Sequence, residues 1–411
     1  MQIVLLKEVI YALKRPVHFV KTGLLRGLYG QLAFGFPQKK LKILAITGTD
    51  GKTTSTTMLY HVLKKSGKRV ALLSTVAAYF DDEEISTGLH VTSPDPFSLY
   101  KLMRKMVDRG IEYLVLEFTS HGAYQYRLWG ISPLIAGVTN IDHEHWDYHL
   151  NYQNYVEAKA LLLKKAPILV LNRDDQSFPR LRRIIPANKH HILDYSVSEP
   201  LPKKVDEAVN KRFIERFNLS NARLVYTIAS QLGISDEQFA TAIESFPGVP
   251  GRMQFVSTKK NFEVVVDFAH TPQGLEAALK TLQHYMKVKK RTGKLIAVYG
   301  AAGLRDNTKR PLMGQIGVNY ADLVVFTAED PRTEDVWTII RQMKEQLKDG
   351  HNRILTIADR RQAIEYVLTK LAKPGDVIGL FGKGPEQSMC YGKTEYPWSE
   401  VGVVNEILKT L

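Results

Sequence analysis

The sequence predicts an α/β protein in which mostly parallel sheets are covered by helices on both faces. Three observations carry this. Short apolar runs recur along the chain, stretches of helical periodicity fall between them, and the alternation stops at a Pro/Gly break and then restarts. Regularity begins at Leu41. Residues 43–46 read as a strand, a Gly turn follows, residues 53–65 read as a helix and residues 70–73 as the next strand. Further strands fall at 113–116, 134–138 and 168–171, with helical periodicity around 98–109 and 152–165. Helices near 220–232 and 235–245 lead into Phe246-Pro-Gly-Val-Pro-Gly251, whose two prolines and two glycines break any regular element. Beyond the break come strands near 262–267, 294–299, 322–326 and 377–381, with helices at 272–288, 333–347 and 359–371. The expected division is 1–40, a short basic segment, 41–250, a first α/β domain, and 251–411, a second.

The 411 residues are 44% hydrophobic and 24% charged, an ordinary globular composition with no tract suggesting a fibre or solenoid. Cys390 is the single cysteine, so no internal disulfide forms and a reducing compartment, the cytoplasm, is expected. Lys and Arg outnumber Asp and Glu by 56 to 42, which favours polyanionic partners: phosphorylated metabolites, anionic lipid or nucleic acid. In residues 1–40 charges interrupt every apolar run before the roughly 18–20 residues a membrane span requires. Leu5, Leu6, Val9, Ile10 and Leu13 recur at helical spacing, as do Leu24, Leu25, Leu28, Tyr29 and Leu32, and Pro16 is expected to separate two short helices. Such a pair either packs on the following domain or lies at an anionic lipid surface.

Between the first strand and the first helix stands Thr47-Gly48-Thr49-Asp50-Gly51-Lys52-Thr53-Thr54. Successive backbone N–H groups and a helix N-terminus can surround a phosphate chain there, Lys52 can neutralise the β/γ-phosphates, and the Thr53 hydroxyl can ligate Mg²⁺. Ile46 occupies the position of the first glycine of the general ATPase pattern, so this is a shorter form of the loop. Glu117 ends an apolar strand, where open α/β sheets collect ligands. The run Asp142-His143-Glu144-His145-Trp146-Asp147-Tyr148-His149 allows two readings: a transition-metal site on His143, His145 and His149, or an oxygen-rich Mg²⁺ site with one histidine taking part. Lys159 lies on an amphipathic helix, where surface placement is the ordinary expectation.

These motifs resemble those of the Mur ligase family and its folylpolyglutamate synthetase relatives. The loop resembles G-T-x-G-K-T-T. Glu117 with Ser120-His121, and Thr139-Asn140 with His145-x-Asp147-Tyr148-His149, resemble the family's two metal-site strands, with Glu144 in place of a more common Asp. The resemblance continues through Phe217 to Asn221, Gly248 to Met253, Val266 to Pro272, Tyr299 to Gly314, Glu329-Asp330-Pro331-Arg332 and Gly382-Lys383-Gly384-Pro385-Glu386. It spans residues 41–411 and points to the MurE branch. It implies a P-loop ATPase central domain with a mostly parallel sheet, followed by a Rossmann-like α/β C-terminal domain.

The activity implied is an ATP-dependent amide ligase, adding an amino acid, expected to be dibasic or diamino, to a UDP-N-acetylmuramoyl-dipeptide-like acceptor through an acyl phosphate. By the same match, Lys52, Lys159 and His145 are catalytic. Gly48 to Thr54, Asn221, Arg252 and Asp267 bind ATP. Thr53 holds one Mg²⁺ ion, and Glu117, His145 and a carbamylated Lys159 serve the second. Thr92, Ser93, Thr119, Gln125 and Arg127 bind the acceptor, while Arg305, Glu329, Asp330, Arg332, Gly382 and Glu386 meet the amino acid. A monomer without nucleic-acid partners is implied. Three departures accompany the match: about 40 residues stand where the family carries a longer uridine-binding domain, Pro385 replaces a histidine, and Glu329-Asp330 replaces Asp-Asn. Competing readings are a polyglutamate ligase and a non-ligase P-loop ATPase.

Overall fold

The computed structural model describes residues 2–74, 78–80, 83–85, 94–142, 144–213, 215–258, 260–347 and 350–411. The chain divides into two compact units, Met1–Pro247 and Gly248–Leu411.

In the first unit the strands are β1 (Lys42–Thr47), β2 (Val70–Leu73), β3 (Ala78–Phe80), β4 (Glu83–Ile85), β5 (Tyr113–Glu117), β6 (Ile135–Val138), β7 (Ile168–Asn172) and β8 (His191–Tyr195). They form one sheet in the order β4-β3-β2-β5-β1-β6-β7-β8. Six strands run parallel, and β3 and β4 add an antiparallel edge. Apolar runs such as Ile43 to Ile46 are buried because helices cover both faces of a parallel sheet. The helix Pro96–Asp108 shows the matching pattern, burying Leu99, Tyr100, Met103 and Met106 along one stripe behind an Asp95 cap. β1 lies between β5 and β6, with Ile46 beside Glu117 and Thr47 beside Val138. Chain direction across the sheet changes here, and the carboxyl ends of three strands open onto one crevice.

Two expectations for the N-terminal segment are corrected. Pro16 does not separate helices: it lies inside the helix Gln2–His18, which continues as a π-helix over Phe19–Leu28 and a short helix Tyr29–Ala33. Tertiary contacts outweigh the lost proline hydrogen bond. Tyr11 stacks on Tyr124 at 4.5 Å between ring centroids, and Arg15 donates to the Tyr126 hydroxyl at 3.1 Å. Packing on the following domain is not made by the second apolar cluster, of which only Leu28 is half-buried. The segment packs by Gly23, Gly27 and Gly30, while Leu13, Leu24, Leu25, Tyr29 and Leu32 are exposed. A Cβ on Gly23 or Gly27 would already touch Trp129 at 3.3 Å, so only the glycine face allows this close approach.

In the second unit, β9 (Gln254–Val256), β10 (Glu263–Asp267), β11 (Leu295–Tyr299), β12 (Leu323–Phe326), β13 (Ile354–Thr356) and β14 (Val377–Phe381) form a sheet in the order β13-β12-β11-β14-β10-β9. All are parallel except the edge strand β9. β15 (Ser388–Tyr391) and β16 (Thr394–Pro397) make a separate hairpin. The Arg360–Glu400 ion pair is fully buried, and Arg360 also donates to the carbonyls of Ala328 and Phe381, so its charge is matched on several sides.

Candidate active site

The loop after β1 is shaped by what surrounds it. Gly51 has φ +79° at the start of the helix Lys52–Lys65, a left-handed conformation that favours glycine. A Cβ at Gly48 would lie 1.8 Å from the Thr139 hydroxyl, and one at Gly51 would lie 2.5 Å from Asn221 Oδ1. Thr139 Oγ1 and Asn140 Nδ2 both donate to the Asp50 carbonyl, at 2.6 and 3.0 Å, and Asn140 Oδ1 accepts from the Asp50 N–H at 2.9 Å. These bonds fix a tight turn whose later N–H groups open the helix. Lys52 Nζ donates to the Thr49 carbonyl at 2.6 Å. Asn221 backs the loop at Gly51.

Thr53 Oγ1 lies 3.1 and 3.0 Å from the two Glu117 carboxylate oxygens, and both residues are buried. A buried carboxylate beside a hydroxyl at a phosphate loop is a hard-oxygen set suited to Mg²⁺. Lys159 is not a surface residue. It is 1% exposed, and its Nζ donates to the Gly48 carbonyl at 2.6 Å and lies 4.5 Å from the Tyr155 ring centroid. Burial, reinforced by the positive charge of Lys52, pushes its pKa well below the ordinary lysine range.

His145 adopts φ +56° and places Nε2 3.6 Å from Glu144 Oε1, with the His121 ring 4.7 Å away. Burial and the neighbouring His145 hold His121 down at about 4. His149 does not serve the transition-metal reading. Its Nδ1 meets the Tyr11 hydroxyl at 2.8 Å and its Nε2 the Ser120 hydroxyl at 3.0 Å, so both ring nitrogens are engaged. Burial holds it neutral, at about 2. Among the described residues no three His, Cys, Asp or Glu side chains are arranged to hold a metal by themselves. His143 lies outside the described residues.

Of the acceptor candidates, Thr92 and Ser93 lie outside the described residues. Thr119 caps the helix Ser120–Tyr124, its hydroxyl accepting from the Gly122 N–H at 3.1 Å. Arg127 Nε donates to Gln125 Oε1 at 2.9 Å, and Gln125 Nε2 donates to the Tyr148 hydroxyl at 3.0 Å. Tyr148 in turn lies against His121, 4.3 Å between ring centroids. A relay of side chains thus runs from Arg127 to the histidines. Sequence reasoning met Tyr148 and Tyr155 only as members of motifs and gave no role to Tyr11, although Tyr155 joins Thr49 and Glu144 through its hydroxyl, at 3.2 and 3.3 Å.

In the second unit, Asp267 ends β10 and accepts from the N–H groups of Met253 and Ala269, at 2.7 and 2.8 Å. The Arg252 guanidinium lies 4.5 Å from the Phe268 ring centroid. Gly251 and Pro385 pack so closely that a Cβ on Gly251 would lie 2.2 Å from the Pro385 nitrogen. Asp330 and Glu386 do not form an open acidic pair with Glu329. Buried Lys383 reaches Asp330 Oδ1 at 2.8 Å and Glu386 Oε2 at 2.5 Å, one cation bridging the two carboxylates. Glu329 differs from them: Oε2 is buried without a hydrogen-bond partner, and burial raises its pKa to about 7. Gly382, φ +105°, leaves room for it, since a Cβ would lie 2.5 Å from Oε2. Arg332, φ +52°, donates to the Gly303 carbonyl at 2.8 Å, and Arg305 is exposed.

Residues 46–232 match the Mur ligase middle domain, and residues 251–384 match the Mur ligase glutamate ligase domain. A 2,6-diaminopimelate-adding UDP-N-acetylmuramoyl-L-alanyl-D-glutamate ligase of Clostridium botulinum is 34% identical over 92% of this chain and 80% of its own length. A protein of the same name from Parabacteroides distasonis is 37% identical over 88% of this chain and 76% of its own. A solved ligase of that name has a TM-score of 0.61 at 28% identity, covering 94% of this chain and 83% of that one. The folylpolyglutamate synthase of Mycobacterium tuberculosis shares the fold, with a TM-score of 0.70 at 18% identity over 91% of this chain and 96% of its own.

Proposed function

The chain belongs to the Mur ligase family and is an ATP-dependent ligase, and from that premise we propose that it joins an amino acid to a UDP-N-acetylmuramoyl-dipeptide-like acceptor in peptidoglycan precursor synthesis. The observation that carries the reading is the convergence on one loop of Thr53, Glu117, Lys52 and buried Lys159. It fits a reaction in which an acceptor carboxylate attacks the γ-phosphate of ATP and an amine then displaces phosphate from the acyl phosphate.

Lys52 and the loop N–H groups hold the phosphates, Gln125 and Arg127 orient the acceptor carboxylate, and Asn221, Arg252 and Asp267 belong to the ATP site. Thr53, Glu117, His145 and a carbamate on Lys159 are the residues that would hold two Mg²⁺ ions, which when bound offset the charge of the reacting anions. A carbamate replaces a cation with oxygen donors, which gives the modification its physical reason. The incoming amino acid is diamino, met by Arg305, Glu329, Asp330, Arg332, Gly382 and Glu386. Glu329 is the group suited to its distal ammonium, and Arg332 to a carboxylate.

Among the described residues no helix is long and apolar enough to cross a membrane. A cytoplasmic monomer with peripheral contact to anionic lipid through residues 1–40 fits the exposed Leu24, Leu25, Tyr29 and Leu32.

Phosphate release from ATP tests the function, measured with UDP-muramyl-dipeptide and lysine, ornithine or diaminopimelate, together and singly. Release that needs both acceptor and a diamino acid is expected. Preferred use of a folate acceptor with glutamate, or stimulation by nucleic acid alone, overturns the reading.

A further inference from the structure

Beside the relay from Arg127 to the histidines lies a cavity of about 460 Å³, one wall of which is the N-terminal π-helix. The helical segment contributes His18, Lys21, Thr22 and Arg26, and Gln125 and Arg127 stand on the opposite side. Among the described residues the only acid lining the cavity is Asp95, whose carboxylate accepts from the Phe97 and Ser98 N–H groups as a helix cap. Three fixed cations therefore face one acid that is already engaged. A second cavity of about 480 Å³ adds Lys14 on the helix side and shares His18 and Gln125 with the first.

The helix edge is held in place rather than draped. Gly23 and Gly27 seat on Trp129, Arg15 is tied to Tyr126, and Tyr11 is tied to His149. In a π-helix the backbone bonds span five residues, so Lys21 and Arg26 fall one turn apart on the same edge. The field they create is already felt: after burial, Lys14, Arg127 and Lys21 are what lower the pKa of His18.

We propose that this edge, Lys14, Lys21 and Arg26, binds the diphosphate of the acceptor, and so reads the acceptor at the end remote from its reacting carboxylate. The inference rests on the proposed function for the identity of the acceptor. Its reasoning is one of charge. Arg127, tied through Gln125 and Tyr148 to the histidines, serves a single carboxylate. A neutral sugar needs no counter-charge, whereas a diphosphate carries the charge that the further cations complement, and Lys and Arg side chains match phosphate oxygens.

The test is calorimetric titration of the full chain with UDP, and separately with uridine, with the ATP site saturated by a non-hydrolysable ATP analogue and Mg²⁺. UDP is expected to bind at least tenfold more tightly than uridine and to weaken as NaCl is raised. K21E/R26E should lose at least tenfold in UDP affinity, and K21Q/R26Q should lose less. Thermal unfolding of each variant checks that it folds. In phosphate-release assays the wild type should show a KM for UDP-muramyl-dipeptide at least tenfold below that for muramyl-dipeptide, and K21E/R26E should bring the ratio near one through KM rather than kcat. Equal binding of UDP and uridine, or unchanged UDP affinity in a folded K21E/R26E, overturns the proposal. So does a variant that loses only its pelleting with phosphatidylglycerol vesicles, which would assign the edge to lipid. If no acceptor supports phosphate release while UDP binding still depends on Lys21 and Arg26, the proposed substrate fails and the anion site stands.

Discussion

Gly51→Ala isolates how the loop is held. Two penalties apply. An alanine at φ +79° costs about 1–2 kcal/mol relative to glycine. Its Cβ would also lie 2.5 Å from Asn221 Oδ1, so Asn221, 4% exposed and bonded to Asn218 at 3.2 Å, has to shift. Losing that bond adds about 1 kcal/mol. The sum, about 2–3 kcal/mol, lowers the Tm of a unit this size by about 5–10 °C. The same helix supplies the control. Gly67, beyond its C-terminal end, has φ +77°, and a Cβ there would meet nothing within 4 Å, so Gly67→Ala carries the conformational penalty alone. Scanning calorimetry of G51A, G67A, N221A and G51A/N221A should place G51A below G67A, and the double variant should melt no lower than G51A, because the bond from Asn221 to Asn218 is already lost there. The KM for ATP should rise in G51A and stay unchanged in G67A. Equal Tm losses in G51A and G67A would refute the claim that Asn221 braces the loop.

Lys52→Ala should abolish turnover while shifting Tm by no more than a degree or so, because the side chain gives up a single hydrogen bond to the Thr49 carbonyl; near-normal activity would remove Lys52 from the ATP site. Lys159→Ala should be inactive and partly restored by small carboxylic acids such as formate, and failure of rescue counts against a carbamate there. Glu329 makes a pH prediction. Its pKa is raised from 4.5 to about 7 in the folded protein, so between those values the folded state binds more protons than the unfolded one, and its contribution to stability falls as pH rises through this window. The accumulated penalty above pH 7 is on the order of 3 kcal/mol. Glu329→Gln should therefore melt higher than wild type at pH 8, with little difference at pH 4.5, yet use the amino acid poorly; a lower Tm at pH 8 would contradict a carboxylate whose burial outweighs its neighbouring cations. Arg360→Met leaves Glu400 buried without its partner and should cost about 3–5 kcal/mol, read by denaturant unfolding.

The sequence alone determined the parts set by short-range chemistry. Strand, glycine turn and helix around Gly48 to Thr54 are contiguous, so the phosphate loop was legible from residue order, and continuous apolar runs such as 43–46 and 377–381 marked strands buried on both faces. Strands without that signal were missed. β8 is only partly buried and β16 is exposed throughout, so neither carries an apolar pattern. Only the tertiary structure decided which distant groups meet. The β1–β5 register sets Glu117 beside Ile46, at the base of the loop that carries Thr53, and the packing of the helix Tyr152–Leu163 turns Lys159 from an expected surface cation into a buried amine. Lys383, read in the sequence only as part of a motif, turned out to bridge Asp330 and Glu386, while Glu329 keeps a buried Oε2 with no hydrogen bond. The N-terminal helix gives the clearest physical reason. Periodicity marks which residues share a face, but not which face is buried. Here a Cβ would crowd Trp129 and Tyr126 at 3.2–3.3 Å, so the glycines are buried while Leu13, Leu24, Leu25 and Leu32 are left outside.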